Sequence, residues 1–261
     1  MKIYNAEEII KVDHLSKSFE RDDATIKVID DVSFSVKRGE LICIVGASGC
    51  GKSTMLRGIA GLDVNHEGTI TVNGRNVTGV DKSVGMVFQE HRLFPWLSVE
   101  DNIKYALNDK SKEEKKELAD KYIKLVNLQG FEKALPKELS GGMSQRAGIA
   151  RALVNTPPVL LLDEPFGALD TFTKISLQKE LKNIQKESET TMILVTHDIE
   201  EAVFLADRII VLSSRPGRIK NIFESNLPEP RDRNSLDFLN LKKVIYEQFF
   251  IEEFAHEEYN I

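Results

Sequence analysis

Three uninterrupted apolar runs punctuate the chain: Leu41-Ile42-Cys43-Ile44-Val45, Val159-Leu160-Leu161-Leu162 and Met192-Ile193-Leu194-Val195. Apolar runs of this length without alternation are expected of strands covered on both faces, as in a parallel sheet. Weaker signals fill in around them. VSFSV at 32–36 alternates and joins 41–45 through a turn at Lys37-Arg38-Gly39-Glu40. TITVNG at 69–74 reads as a strand entering a turn, and VGMVF at 84–88 as a short, largely buried strand. DRIIVLSS (207–214) and RIKNIFE (218–224) flank Arg215-Pro216-Gly217, a hairpin turn whose glycine takes the positive φ.

Between 99 and 155 the period becomes helical. SKEEKKELADKYIKLV at 111–126 predicts an apolar face at Leu118, Tyr122, Leu125 and Val126, with the Lys/Glu run solvated. A helix is predicted from about Gly51 to Ala60 and a final one from Ser235 to Phe250. The end beyond it carries Glu252, Glu253, Glu257 and Glu258 and is expected to fray. No internal repeat or low-complexity linker is visible. A helical block between sheet strands predicts an α/β fold of two lobes built from one chain.

At 261 residues the chain has room for one large or two small domains, and 41% hydrophobic content is enough for a proper core. The net charge of -6 argues against a general nucleic-acid binder. Cys43 and Cys50 give no disulfide framework and fit a reducing compartment. Cys50 reads as a small loop residue. No apolar run approaches the ~20 residues that span a bilayer. MKIYNAEEII lacks the basic and apolar regions of a signal peptide, so a cytoplasmic location is expected.

The first apolar run leads into Gly46-Ala47-Ser48-Gly49-Cys50-Gly51-Lys52-Ser53-Thr54. A turn explains the glycines but not Lys52 and Ser53. Gly46-x-x-x-x-Gly51-Lys52-Ser53 is a P-loop pattern, in which backbone N–H groups and a helix N-terminus cradle phosphate oxygens. Lys52 then reaches the β- and γ-phosphates, and the Ser53 hydroxyl ligates Mg²⁺.

The second run ends in Asp163-Glu164-Pro165. Adjacent side chains at a strand end are free to take different roles, Asp163 holding Mg²⁺ through water and Glu164 polarising the attacking water. Capping of a following helix is the bland alternative, but Pro165 follows directly and the P-loop calls for a metal. Ser140-Gly141-Gly142 would open a helix and offer a second set of phosphate donors, although Ser140 alone is also an ordinary N-cap. His197, taken alone, reads as a core histidine.

Together these segments resemble the nucleotide-binding subunits of ABC transporters over about residues 11–225. GASGCGKS is similar to Walker A, Gln89 to the Q-loop glutamine and LSGGM (139–143) to the signature. VLLLDEP is similar to Walker B with its catalytic glutamate, GALD (167–170) to the D-loop and His197 to the switch histidine. Phe19 stands where this family stacks an aromatic on adenine. Met143 departs from the glutamine usual in the signature. The resemblance implies a P-loop NTPase core with an antiparallel β region, a helical lobe at about 90–155, and a helical tail at 226–261.

It further implies a homodimer sandwiching two ATP molecules with Mg²⁺. In it Glu164 is general base, His197 holds the γ-phosphate and water in line, and Gln89 senses metal and water. Ser140, Gly141 and Gly142 act from the opposite copy. Implied partners are membrane permease subunits, with an extracytoplasmic solute-binding protein engaged indirectly, and no nucleic acid. The protein would then sit peripherally on the cytoplasmic face of the membrane.

MVFQEHRLFPWLSVEDNI (86–103), LSSRPGRI (212–219) and LPEPRDRNSLDFLNLKKVIYEQF (227–249) resemble the nitrate/sulfonate/taurine importer ATPases more narrowly. That implies import of a small anion, with a thiamine precursor or another small solute as the alternative. A non-transport ABC ATPase would usually carry a long coiled coil or duplicated domains. A small-molecule P-loop kinase would not need LSGGM, and a pure binding module would not need Lys52, Asp163, Glu164 and His197 together. Phe94 and Trp96, flanking Pro95 in a segment that reads as loop, are expected on an interface. Leu93 and Leu97 are expected to pack inward.

Overall fold

The computed structural model describes residues 7–257 except 22, 23, 91, 108 and 168, with side chains through Gln248. His91 and Ala168, which fall within two segments singled out above, and Glu258 lie outside the described residues. The chain divides into two compact units, residues 1–80 with 193–261 and residues 81–192.

The first unit begins with β1 (Glu8–Arg21), β2 (Ala24–Lys37), β3 (Leu41–Val45), α1 (Lys52–Ile59), β4 (Glu67–Val72) and β5 (Arg75–Asn76). The second holds β6 (Val84–Val87), α2 (Val99–Tyr105), α3 (Lys112–Leu125), α4 (Gly141–Leu153), β7 (Val159–Asp163) and α5 (Thr171–Ser188). The chain then returns to the first unit through β8 (Thr191–Thr196), α6 (Ile199–Leu205), β9 (Arg208–Leu212), β10 (Ile219–Glu224) and α7 (Leu236–Glu257).

In the first unit β2-β1-β4-β5 form an antiparallel sheet, while β10, β9, β3 and β8 lie side by side in that order. β3 pairs with β9 in parallel, and β10 closes on β9 as the expected antiparallel hairpin. Gly217 does not take the positive φ expected of it; glycine is needed there for space, since a Cβ would lie 2.1 Å from the Cys50 carbonyl oxygen. In the second unit β6 and β7 are parallel, and α2, α3 and α4 pack on one another. Every residue of β3, β7 and β8 is buried, as the uninterrupted apolar runs require. Among the described residues no helix is long and apolar enough to cross a membrane.

Several elements differ from the sequence reading. β1 was not predicted, because its alternation breaks where His14 takes φ 51° and the pairing register with β2 and β4 shifts. The helical block at 99–155 separates into α2, α3, a 3₁₀ turn at Pro136–Glu138 and α4. The buried face of α3 is Ala119, Tyr122 and Ile123, continued by Val126, with Leu118 and Leu125 only partly covered. α5 was hidden because Gln178, Lys182 and Gln185 share its buried face with Leu177, Leu181 and Ile184, diluting the apolar period. The seven residues of α6 are too few for a period to show. α7 continues past Phe250 to Glu257, through the acidic stretch where fraying was expected.

Candidate active site

In the first unit the loop from Gly46 to Gly51 links a fully buried strand to a helix. Gly51 caps α1 with φ 103°, and a Cβ there would lie 2.7 Å from Ile29 Cγ1, so only glycine satisfies both backbone and space. Ala47, Ser48 and Gly49 form the exposed tip, Gly46 and Cys50 are buried, and Ser53 and Thr54 are half-buried in the first turn of α1. Lys52 is buried and its ammonium donates to the carbonyls of Gly46 and Ala47 at 2.8 and 3.1 Å. The cation therefore stands within the loop, where an anion held by the backbone N–H groups would meet it. Burial pushes the Cys50 thiol above its ordinary pKa despite the opposing pull of Lys52, which suits a packing role rather than a reactive thiolate.

Phe19 lies on β1 opposite Ile26 and remains 41% exposed. The Lys17 ammonium stands 5.0 Å from its ring centroid and is held by Asp63 at 2.9 Å and by the Asn65 carbonyl. Sequence reading passed over Lys17, although two-residue spacing places it on the same face as Phe19.

His197 follows the buried β8 and is exposed, unlike a core histidine. Its flanks are pinned. The Thr196 hydroxyl donates to Glu201 Oε2 at 2.6 Å and accepts the Asp198 N–H at 3.0 Å. Asp198 in turn caps α6 by accepting from the N–H groups of Glu200 and Glu201 at 2.8 and 3.2 Å.

In the second unit Asp163 is buried at the C-terminal end of β7, and Glu164 lies just beyond it, half-buried with φ 43°. That left-handed backbone is uncommon for a glutamate and turns its side chain out of the strand's alternation. The structure brings Gln89 and Glu164 together: Gln89 Nε2 donates to Glu164 Oε2 at 3.4 Å. Asp170, the aspartate of the GALD segment, caps α5 through the N–H groups of Phe172 and Thr173, both at 3.1 Å. The Thr173 bonds lead in holding its carboxyl below the usual range.

Ser140 is exposed and caps α4, its Oγ accepting from the Met143 N–H at 3.3 Å. Gly141 is exposed beside it, whereas Gly142 is buried where a Cβ would lie 2.2 Å from Thr173 Cγ2. Gly142 therefore has a packing reason of its own, the close approach of α4 to α5.

A family model described as ABC transporter matches residues 29–167. The aliphatic sulfonates import ATP-binding protein SsuB of Bacillus cereus is 49% identical over 240 residues, 92% of this chain and 95% of that protein. The nitrate import ATP-binding protein NrtD of Synechocystis sp. is 45% identical over 221 residues, 84% of this chain and 83% of that protein. Among solved structures, the post-hydrolysis dimer of the ATP-binding cassette MJ0796 bound to ADP and Pi superposes with a TM-score of 0.75. It is 32% identical and covers 83% of this chain and 99% of its own.

Proposed function

The chain belongs to the ABC transporter family as an ATP-hydrolysing nucleotide-binding subunit, and from that premise we propose that it powers import of an aliphatic sulfonate or a chemically similar small oxyanion. Similarity to SsuB along nearly the whole of both chains supports the sulfonate class. Its partners are membrane permease subunits, a solute-binding protein that it meets only through them, and a second copy of itself. The protein attaches to the cytoplasmic face of the membrane through the permease.

The pairing of Gln89 with Glu164 is the observation that carries the mechanism. A carboxylate hydrogen-bonded by a neutral amide is oriented without losing its charge, as a general base requires. In this reading the loop from Gly46 to Thr54 binds the ATP phosphates, and Lys52 exchanges its two carbonyl partners for phosphate oxygens. Ser53 and Asp163 are oxygen donors of the kind Mg²⁺ takes, and they would hold it. When bound there, Mg²⁺ would supply neutralisation of the phosphate charge. Glu164 accepts a proton from the attacking water, Gln89 orients that water, and His197 holds the γ-phosphate in line. Phe19 stacks on adenine. Ser140, Gly141 and Gly142 act on the γ-phosphate bound by the opposite copy, so that ATP favours the closed dimer and hydrolysis releases it.

Glu164→Gln tests this reading. The variant is expected to bind ATP, to lose hydrolysis by at least about a hundredfold, and to accumulate as an ATP-bound dimer on size exclusion. Wild-type turnover would remove Glu164 from the role of base. The solute class is read from ATPase stimulation of the reconstituted transporter, with an alkanesulfonate expected to stimulate more than nitrate.

A further inference from the structure

The chain after β10 returns to grip the short helix that follows His197. The Arg231 side chain is almost fully buried, and its Nη1 donates to the Val203 carbonyl of α6 at 2.8 Å while its Nε pairs with Glu229 at 3.3 Å. The Arg233 guanidinium lies 3.6 Å from the ring centroid of Phe204 and 3.4 Å from Glu200 Oε1. Lys242 of α7 takes the other oxygen of the same carboxylate at 2.6 Å. Beneath these contacts α6 packs on both β3 and α7, and α7 buries Phe238 and Ile245.

A seven-residue helix has little stability of its own, and its position is set by what packs on it. The outward face of α6 carries the Glu200 carboxylate two residues from Asp198, which itself adjoins His197. Arg233 and Lys242 clamp that carboxylate from two directions, and the Asp198 charge acts on both cations. The start of α6 is thus held from inside by Thr196 and Asp198 and from outside by the tail.

We propose that Arg233 and Lys242 are positioning residues for His197: the tail clasp on Glu200 and Phe204 fixes the start of α6 and thereby sets the turnover number rather than ATP affinity. The inference rests on the reading that His197 holds the γ-phosphate. Reactions of this kind are sensitive to placement, a 1 Å error costing on the order of a hundredfold. ATP affinity comes from the phosphate-binding loop and Phe19, which the clasp does not touch.

The test is steady-state MgATP hydrolysis by the full chain carrying Arg233→Ala with Lys242→Ala. The expected result is a kcat roughly tenfold lower with KM within about twofold of wild type. Arg233→Lys, which keeps a cation over Phe204 and beside Glu200, is expected to retain at least about half of kcat. An unchanged kcat in the double variant overturns the proposal. So does a parallel loss of ATP binding and thermal stability that Arg233→Lys does not repair, because that marks general structural support. His197→Ala separates the layers. Wild-type turnover there removes His197 itself, whereas an inactive His197→Ala beside an unaffected double variant removes only the clasp.

Discussion

Arg215 donates from Nε to the Gly49 carbonyl at 3.1 Å, tying the β9–β10 turn to the tip of the loop that leads into α1. With that carbonyl held from outside, the loop is steadied in the shape proposed to receive the ATP phosphates. A charged donor contributes about 1.5–3 kcal/mol when shielded, and the exposure of Arg215 brings this toward about 1 kcal/mol. Arg215→Ala is therefore expected to raise KM for ATP about fivefold, with kcat and melting temperature little changed. Equal KM values for variant and wild type would show that the loop holds its shape unaided.

Lys17 and Phe19 make a second pair whose parts separate by mutation. If adenine stacks on Phe19, Phe19→Ala costs about 1 kcal/mol, or about fivefold in ATP affinity, and Phe19→Tyr is nearly silent. Lys17→Met keeps the bulk but removes the cation beside the ring and leaves Asp63 without its lysine. It is expected to lower thermal stability and to weaken ATP binding less than Phe19→Ala does. Nucleotide titration alongside thermal melts distinguishes these effects. Stability losses at both positions with unchanged affinity would make Phe19 a packing residue only.

Much of this arrangement was legible in the sequence because the residues concerned sit at the ends of apolar runs. β3 leads to Gly46, β7 to Asp163 and β8 to His197, and each run is uninterrupted because the strand is buried on both faces. What stayed hidden depends on contacts between segments distant in the chain. Arg215 is separated from Gly49 by 166 residues, and no local pattern links them. The exposure of His197 was equally invisible, since an apolar strand before a histidine fits a core residue as well as a strand-end one. The tail read as a final helix with an acidic end, but its use depends on Arg233 and Lys242 meeting at one carboxylate.

Glu100 gives the second unit a pH dependence with a definite sign. Burial alone would push its carboxyl up, but hydrogen bonds from Lys104 and Lys133 outweigh this and hold it below the usual range. Because the folded form is the more acidic, the contribution is fully present above roughly pH 4–5 and fades as pH falls through the folded value. Glu100→Gln is expected to lower the melting temperature at pH 7 by about 3 °C, near 1 kcal/mol for a chain of this size. The same variant should show a shallower loss of stability between about pH 5 and pH 3. A wild-type acid limb in the variant would assign that limb to other carboxylates.

The segment after Gln89 is built to display an aromatic. Asn102 is fully buried, accepts the Phe94 N–H at 2.8 Å, and donates to the carbonyls of Phe94, Leu97 and Ser98 at 3.0–3.2 Å. Phe94 is half-buried against Tyr105 at 4.5 Å between ring centroids, and Leu93 and Leu97 are partly covered. Trp96 lies 5.7 Å from Phe94 and stays 72% exposed. A loop anchored this firmly has no need to leave a tryptophan in water for its own folding, and an exposed aromatic on a fixed base is suited to an interface. The proposed occupant is a cytoplasmic segment of the permease. Trp96 is the chain's single tryptophan, so its emission reports the event directly. Emission is expected to shift to the blue when permease subunits bind, and Trp96→Ala to weaken that association about tenfold or more and to reduce transport. Asn102→Ala, which frees the loop while keeping Trp96, is expected to weaken association less. Unchanged emission in the assembled complex, with full transport by Trp96→Ala, would place the permease contact elsewhere on the subunit.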